Sequence, residues 1–478
     1  MSTTHPTPRR QHNAANAFGA ARIKQRAVQA LTAPGDNNTL LELEKVRAVA
    51  SYPALYAISD LIPDRAPNAP GRPAHYPAWV SVIHKVLHGA FGSANHASRI
   101  MANPEYWQII CHHAAANGKT ARIQPPQRHH HCYAQDKIDE YIDALHQGLL
   151  DTAATLAREL ECLNPDAPVS RTNPARGQFV VGDGTVVAAP ERKSTIEKKV
   201  ATGKTTVNAH LEVQNGDGAP EFRYGTKFAI MSTRPDNTRN LRVVLDTVPV
   251  PPGKGYKGEA GIALTMLDRL TSRPELRVDG ICYDGAFRGK HIDHAMKRGL
   301  TVLVPPHAGT AKPTPLTNIE CPCGDTHALW TNEGRLHERT ILDTGETHLQ
   351  PLPVAKVYSR RNRGGTHRWY IDFAVTCGTV HHQRIDTTDD DAAKGLNRAE
   401  HLRQHTKTEE GDSLYDRCYG WREDAESLNN TLDRTLYGGR MTAHTATRQH
   451  SVMIGFALGR NAIARHIHQR QQPQTTAV

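Results

Sequence analysis

Around residues 165–174 the apolar rhythm of this chain changes period, and a single layer of secondary structure cannot accommodate both halves. Upstream, apolar side chains recur at three and four spacing, as at 79–91 and 138–163, with Pro-rich joints at 67–73 and 125–126. This predicts an all-α segment over 40–164. Downstream, 179–181, 186–189, 210–213, 227–231 and 241–248 read as strands broken by Gly, Asn, Asp and Pro. Residues 259–271 then place Ile262, Met266, Leu267 and Leu270 on one helical stripe, followed by strand 278–283, helix 289–298 and the apolar strand 300–304. Strands giving way to strand–helix–strand–helix–strand predict an α/β fold, a mixed sheet with flanking helices.

Residues 305–411 break that pattern, with strand-like runs at 354–359 and 368–375, an acidic turn at 389–391 and little helix, so they read as a β-rich insertion. Beyond it, 414–436 and 442–466 read as two long helices, the second basic: from Arg434 to the end there are six Arg and no acid. Residues 1–39 are polar and aperiodic, with Arg9, Arg10, Arg22, Lys24 and Arg26, and read as a flexible basic arm; an organellar transit peptide has the same composition.

Charge narrows the partners. Lys and Arg number 58 against 48 Asp and Glu, a net charge of +10, which favours a polyanion through non-specific attraction. The best electrostatic candidates are the basic arm and Arg434, Arg440, Arg448, Arg460, Arg465 and Arg470. Eight Cys are too few for a disulfide framework and point to a reducing compartment. Apolar runs such as 451–458 fall short of the ~18–20 residues that span a bilayer, and no signal-peptide pattern is seen, so a soluble intracellular protein is expected.

Several segments hold residues suited to chemistry. Gly182-Asp183-Gly184-Thr185 looks like a strand turning abruptly around one carboxylate, with glycines that let a ligand approach the backbone, although a polar hairpin tip looks the same. Asp284 follows an apolar strand, where ligand groups of open α/β sheets stand; Asp279 would lie at the opposite end. Tyr419-x-x-Arg422-x-x-x-Glu426 has the spacing of one helix face, which an exposed ion pair beside an aromatic also satisfies. Cys321, Cys323, Cys377 and His381 or His382 would supply a structural zinc site, with His327 a further candidate. Cys111-His112-His113 and His129-His130-His131-Cys132 lack metal-ligand spacing and read as solvated loops. Residues 201–206 mimic a phosphate-binding loop, but Lys198 stands where its first Gly is required.

Taken in order, Asp183 in Gly-Asp-Gly-Thr, Asp284 with Phe287 in Asp-Gly-Ala-Phe, and Tyr419, Arg422 and Glu426 resemble the acidic motifs of bacterial insertion-sequence transposases of the Asp-Asp-Glu type. The similarity spans about 174–466, and Arg72-Pro-x-x-Tyr76-Pro with Pro104-x-x-Trp107 is similar to the N-terminal regions of such enzymes. The resemblance implies an RNase H-like catalytic domain in two parts, 175–304 and 412–478, around the insertion, with 40–164 as a DNA-binding domain. It also implies that Asp183, Asp284 and Glu426 hold two Mg²⁺ or Mn²⁺ ions, that Tyr419, Arg422, Arg434 and Arg440 contact DNA or phosphate, and that double-stranded DNA is cut at element ends and joined to target DNA. A dimer on DNA and a cytoplasmic, nucleoid-associated bacterial protein follow from the same resemblance. The family commonly has Lys seven residues after the Glu; here Asp433 stands there, with Arg434 beside it. A non-catalytic DNA-binding derivative and an RNase H-like nuclease without strand transfer are the alternative expectations.

Overall fold

The computed structural model describes residues 40–63, 75–120, 122–204, 207–214, 221–235, 240–252, 258–305, 312–332, 335–390 and 414–472. The basic arm, Arg72 and the last residue of the acidic turn lie outside these. The described residues divide between two units at 45/46: residues 40–45 open helix α1 (Glu42–Ala50), and the described residues from 46 onward form the second, compact unit.

Within the second unit, α2 (Pro53–Ser59), α3 (Ala78–Phe91), α4 (Ala94–Ala102), α5 (Pro104–Ala116), α6 (Arg128–Glu140) and α7 (Ile142–Glu159) follow the three-and-four spacing. The Pro104-x-x-Trp107 segment begins α5, with Asn103 accepting the Glu105 and Tyr106 N–H groups as a cap, and Trp107 is buried against Trp79 of α3 with ring centroids 5.9 Å apart. The two His-rich segments, expected as loops, lie in α5 and α6; His131 is buried and stacks on His84 at 3.9 Å. Packing of α6 on α3 and of α5 on α4 holds both segments helical despite their polar composition.

The main sheet is built on β1 (Phe179–Ala188). After α8 (Lys193–Ala201), β2 (His210–Gln214), β3 (Glu221–Thr233) and β4 (Val243–Pro249) follow; β3 pairs antiparallel with β1, and β2 and β4 pair antiparallel with β3. Helix α9 (Glu259–Thr271) leads to β5 (Gly280–Cys282), and α10 (Lys290–Lys297) leads to β6 (Thr301–Leu303). Both strands run parallel to β1, giving the path β2–β3–β1–β5–β6 with β4 also on β3. The parallel strands are wholly buried at Ile281, Cys282, Val302 and Leu303, as expected where both faces are covered. The abrupt turn expected at 182–185 is absent: β1 runs straight through it, with Gly182 opposite Met231, Asp183 opposite Ile230 and Gly184 opposite Ala229.

In the insertion, β7 (Thr314–Glu320), β8 (Thr326–Asn332), β9 (Arg335–Ile341) and β10 (Thr347–Pro351) form one antiparallel sheet, and β11 (Val354–Arg361), β12 (His367–Ala374) and β13 (Val380–Arg384) a second. The indole of the buried Trp369 donates to the Met296 carbonyl at 2.6 Å and so seats the second sheet on α10.

The chain returns through α11 (Leu414–Cys418), a 3-10 turn Tyr419–Arg422 and α12 (Glu423–Thr435) to α13 (Ala446–Gln471). The basic helix expected to face DNA is instead a core element. Residues of α13 from Ser451 to Gly459 are buried, and it packs on α3, α7 and β4. Its Arg448 is taken by Asp136 and Asp139 of α6, and Arg465 lies 3.6 Å from Glu159. The small Gly89 and Gly455 let α3 and α13 cross closely: a Cβ on Gly89 would stand 2.1 Å from the Gly455 carbonyl carbon. Among the described residues no helix is long and apolar enough to cross a membrane.

Candidate metal and phosphate site

Register alone brings two of the expected acids together. Val181 of β1 pairs with Cys282 of the parallel β5, so two residues further on Asp183 and Asp284 occupy equivalent positions on one face. A third carboxylate, Glu259 at the first position of α9, completes the group: one ligand atom from each of Asp183, Glu259 and Asp284 lies within 4.8 Å of the others.

The glycines beside Asp183 make room for these neighbours rather than for a turn. A Cβ on Gly184 would stand 2.2 Å from the carboxyl carbon of Glu259, and one on Gly182 would stand 2.7 Å from the ring of Tyr283. Tyr283, fully buried, donates its hydroxyl to Glu259 Oε1 at 3.0 Å, while Lys227 Nζ reaches Oε2 at 2.5 Å. Burial raises the Tyr283 hydroxyl well above its ordinary range, and the nearby carboxylates add to the effect, so it remains a proton donor.

The acids themselves are unfavourably charged together. Burial, then the charges of Asp284 and Glu259, push Asp183 up to about 7 against the opposing pull of Arg422. Burial and Glu259 likewise raise Asp284, which accepts the Ala286 N–H at 2.8 Å. A cation placed among them would relieve this repulsion, and three oxygen donors suit a hard divalent ion.

Across from them stands α12. Its first turn is pinned by Asp424, which receives Arg176 at 2.5 Å, Arg234 at 2.7 Å and Arg242 at 3.0 Å. Burial alone would raise Asp424; the guanidiniums outweigh it and hold the carboxyl below the usual range. With the helix so fixed, Asn429 donates to Asp183 Oδ2 at 2.8 Å, and Arg422 Nη2 stands 3.8 Å from Asp183 Oδ1 while Nη1 bonds Glu426.

Glu426 therefore meets the site only through Arg422, and its side chain is 58% exposed. Sequence reasoning chose it and passed over Glu259, whose only signal was an acid at the start of a predicted helix, a common placement. The expected single helix face over 419–426 is interrupted, since Tyr419–Arg422 is a 3-10 turn; Tyr419 is half-buried and stacks on Tyr415 at 4.4 Å. Arg434 is exposed in the last turn of α12. Arg440 is exposed at the far end of β1, where Nη1 donates to the Ala189 carbonyl at 3.2 Å. Asp433 faces Arg223 at 3.7 Å. Asp279, by contrast, lies at the other end of β5, held by Arg277 at 3.1 Å.

The Cys residues of the insertion also converge, with one change of partner. Cys321, Cys323 and Cys377 gather with His327, not with His381 or His382. His382 is 2.6 Å from Asp372, and the His381 ring lies by Phe373. Side chains alternate along β13, so His381 and His382 face opposite ways; His381 stands on the side of Cys321, outside the tight four-ligand group, and His382 turns away to Asp372.

Comparison of the chain with protein-family models, curated proteins and solved structures finds no match in any of the three. The geometry of the acids is thus the ground for any assignment.

Proposed function

We propose that this protein is a divalent-metal-dependent phosphoryl-transfer enzyme acting on DNA, a transposase of the Asp-Asp-Glu type. The observation that carries the reading is the meeting of Asp183, Asp284 and Glu259 beside two parallel strands, with Arg422 opposite. The strand path supports an RNase H-like fold: β1, β3 and β4 form an antiparallel meander, and β5 and β6 then extend the sheet parallel to β1 after intervening helices. The net charge of +10 fits a nucleic-acid partner.

Asp183, Asp284 and Glu259 would hold Mg²⁺ or Mn²⁺. Such ions supply charge stabilisation to the attacking and leaving oxygens of an in-line displacement at phosphorus. The chain's own residues prepare the setting. Asn429 orients Asp183, Lys227 and Tyr283 fix Glu259, and Arg422 presents a planar fork of donors that suits a phosphate. Glu426, the acid of the third motif, is held at the exposed rim of the site by Arg422.

The test is Mg²⁺- or Mn²⁺-dependent cleavage of DNA carrying the sequences that flank the gene, comparing the parent chain with Asp183→Ala, Asp284→Ala, Glu259→Ala and Glu426→Ala. Loss of cleavage with retained DNA binding in the Asp183 and Asp284 variants is expected. Tight binding without cleavage under either metal would replace this reading with a non-catalytic DNA-binding protein, a role consistent with Asp433 standing where such transposases commonly have Lys. Cleavage without joining would leave a nuclease.

A further inference from the structure

We infer that Cys321, Cys323, His327 and Cys377 form a structural zinc site that clips the two small sheets of the insertion together. The ligands come from both sheets: Cys321 and Cys323 from the β7–β8 turn, His327 from β8, and Cys377 from the β12–β13 turn. Cys321 Sγ lies 3.5 Å from Cys377 Sγ, and Cys323 Sγ lies 3.5 Å from His327 Nε2. A tetrahedral zinc with Zn–S of ~2.3 Å and Zn–N of ~2.0–2.1 Å separates its ligand atoms by about 3.6–3.8 Å. A disulfide would need ~2.05 Å, so the spacing matches coordination rather than a bond.

Two further features were made by the fold and not by the Cys count. The turns are alike: the N–H of Gly324 returns to the Cys321 carbonyl at 2.9 Å and that of Gly378 to the Val375 carbonyl at 2.8 Å, with φ of 95° and 86°. Each glycine directly follows a ligand, Cys323 or Cys377, and supplies the left-handed conformation that curls a hairpin tip around its thiol. The histidine is also oriented from behind. Its Nδ1 lies 2.5 Å from Glu338 Oε1, and Glu338 Oε2 accepts the Thr376 N–H at 3.0 Å, so the supporting carboxylate bridges both sheets and turns Nε2 toward the thiols.

The first sheet needs such a clip. Among its described residues from 312 to 351, the buried apolar side chains are Cys321, Leu329 and Leu336. A four-stranded sheet with so small a core resembles the metallo-domains in which binding energy serves as folding energy. The site is remote in sequence from the carboxylates and stands whether or not the DNA reading does.

The experiment is metal analysis of the full chain purified without chelator, followed by exchange with cobalt. About one zinc per chain is expected, together with the thiolate-to-cobalt charge-transfer absorption of a tetrahedral site. Cys377→Ala and His327→Ala should lose the metal, whereas His381→Ala and Asp183→Ala should keep it. Glu338→Gln, which preserves shape, should weaken zinc about 10–100-fold against a chromophoric chelator. Below roughly half an equivalent of zinc in the parent with no cobalt spectrum, the proposal fails. It also fails if intact mass shows a Cys321–Cys377 disulfide, or if zinc survives Cys377→Ala.

Discussion

Replacing Asp424 by Asn isolates the element that holds α12 over the acids. The substitution keeps the side chain's shape but removes the one negative charge met by Arg176, Arg234 and Arg242, whose side chains are 16%, 10% and 6% exposed. Removing one partner from a buried ion cluster costs about 3–5 kcal/mol, because the remaining charges stay buried without compensation. With an unfolding entropy of ~2.1 cal/mol/K per residue, the unit Val46–Val478 should lose about 3–6 °C of melting temperature at pH 7. The pH dependence has a defined sign. Asp424 titrates below its ordinary range when folded, so its stabilisation is present above the unfolded Asp value and disappears as the pH falls through the folded value. Asp424→Asn should therefore lag the parent at neutral pH, and the gap should narrow as the pH drops below about 4. Circular-dichroism melts from pH 7 downward read both effects. A variant melting within about a degree of the parent at pH 7, or a gap that persists in acid, would refute the reasoning.

Other substitutions probe close approaches and buried bases. Gly184→Ala places a methyl where the Glu259 carboxylate lies, so Mn²⁺ affinity should fall about tenfold or more with only a small change in melting; unaltered affinity would contradict the fit. Gly89→Ala forces α3 from α13 and should cost at least ~1–3 kcal/mol in urea unfolding, whereas an unchanged midpoint would mean the crossing yields freely. Burial lowers His88 to about 3, and His131 and His450 to about 4. Below about 6.5 the unfolded chain takes protons that the folded one refuses, so stability should drop steadily between about pH 6.5 and 4; a flat melting profile there would oppose this.

How much of this was legible beforehand depends on the range of the interaction. The amphipathic stripe of 259–271 and the strand ending just before Asp284 are local patterns, and the fold kept them. The glycines beside Asp183 were misread because Gly favours turns in isolation; only the ring of Tyr283 and the carboxylate of Glu259, both distant in sequence, explain their place in a straight strand. The Arg residues of α13 looked like a phosphate-binding face until acids of α6 and α7 were found beside Arg448 and Arg465. His327 joins the tight ligand group for a similar reason, since Glu338, distant in sequence, fixes its ring with Nε2 toward the thiols.

Calorimetric titration of Mn²⁺ into the zinc-replete full chain, alongside Asp183→Asn, Asp284→Asn, Glu259→Gln and Glu426→Ala, tests the central claim most directly. The account predicts that the parent and Glu426→Ala take up Mn²⁺ while the other three lose it, since among the described residues Asp183, Asp284 and Glu259 are the one group of three acids whose ligand atoms lie within 4.8 Å of one another. A parent that binds no Mn²⁺, or one whose binding survives Asp183→Asn and Asp284→Asn, would contradict it.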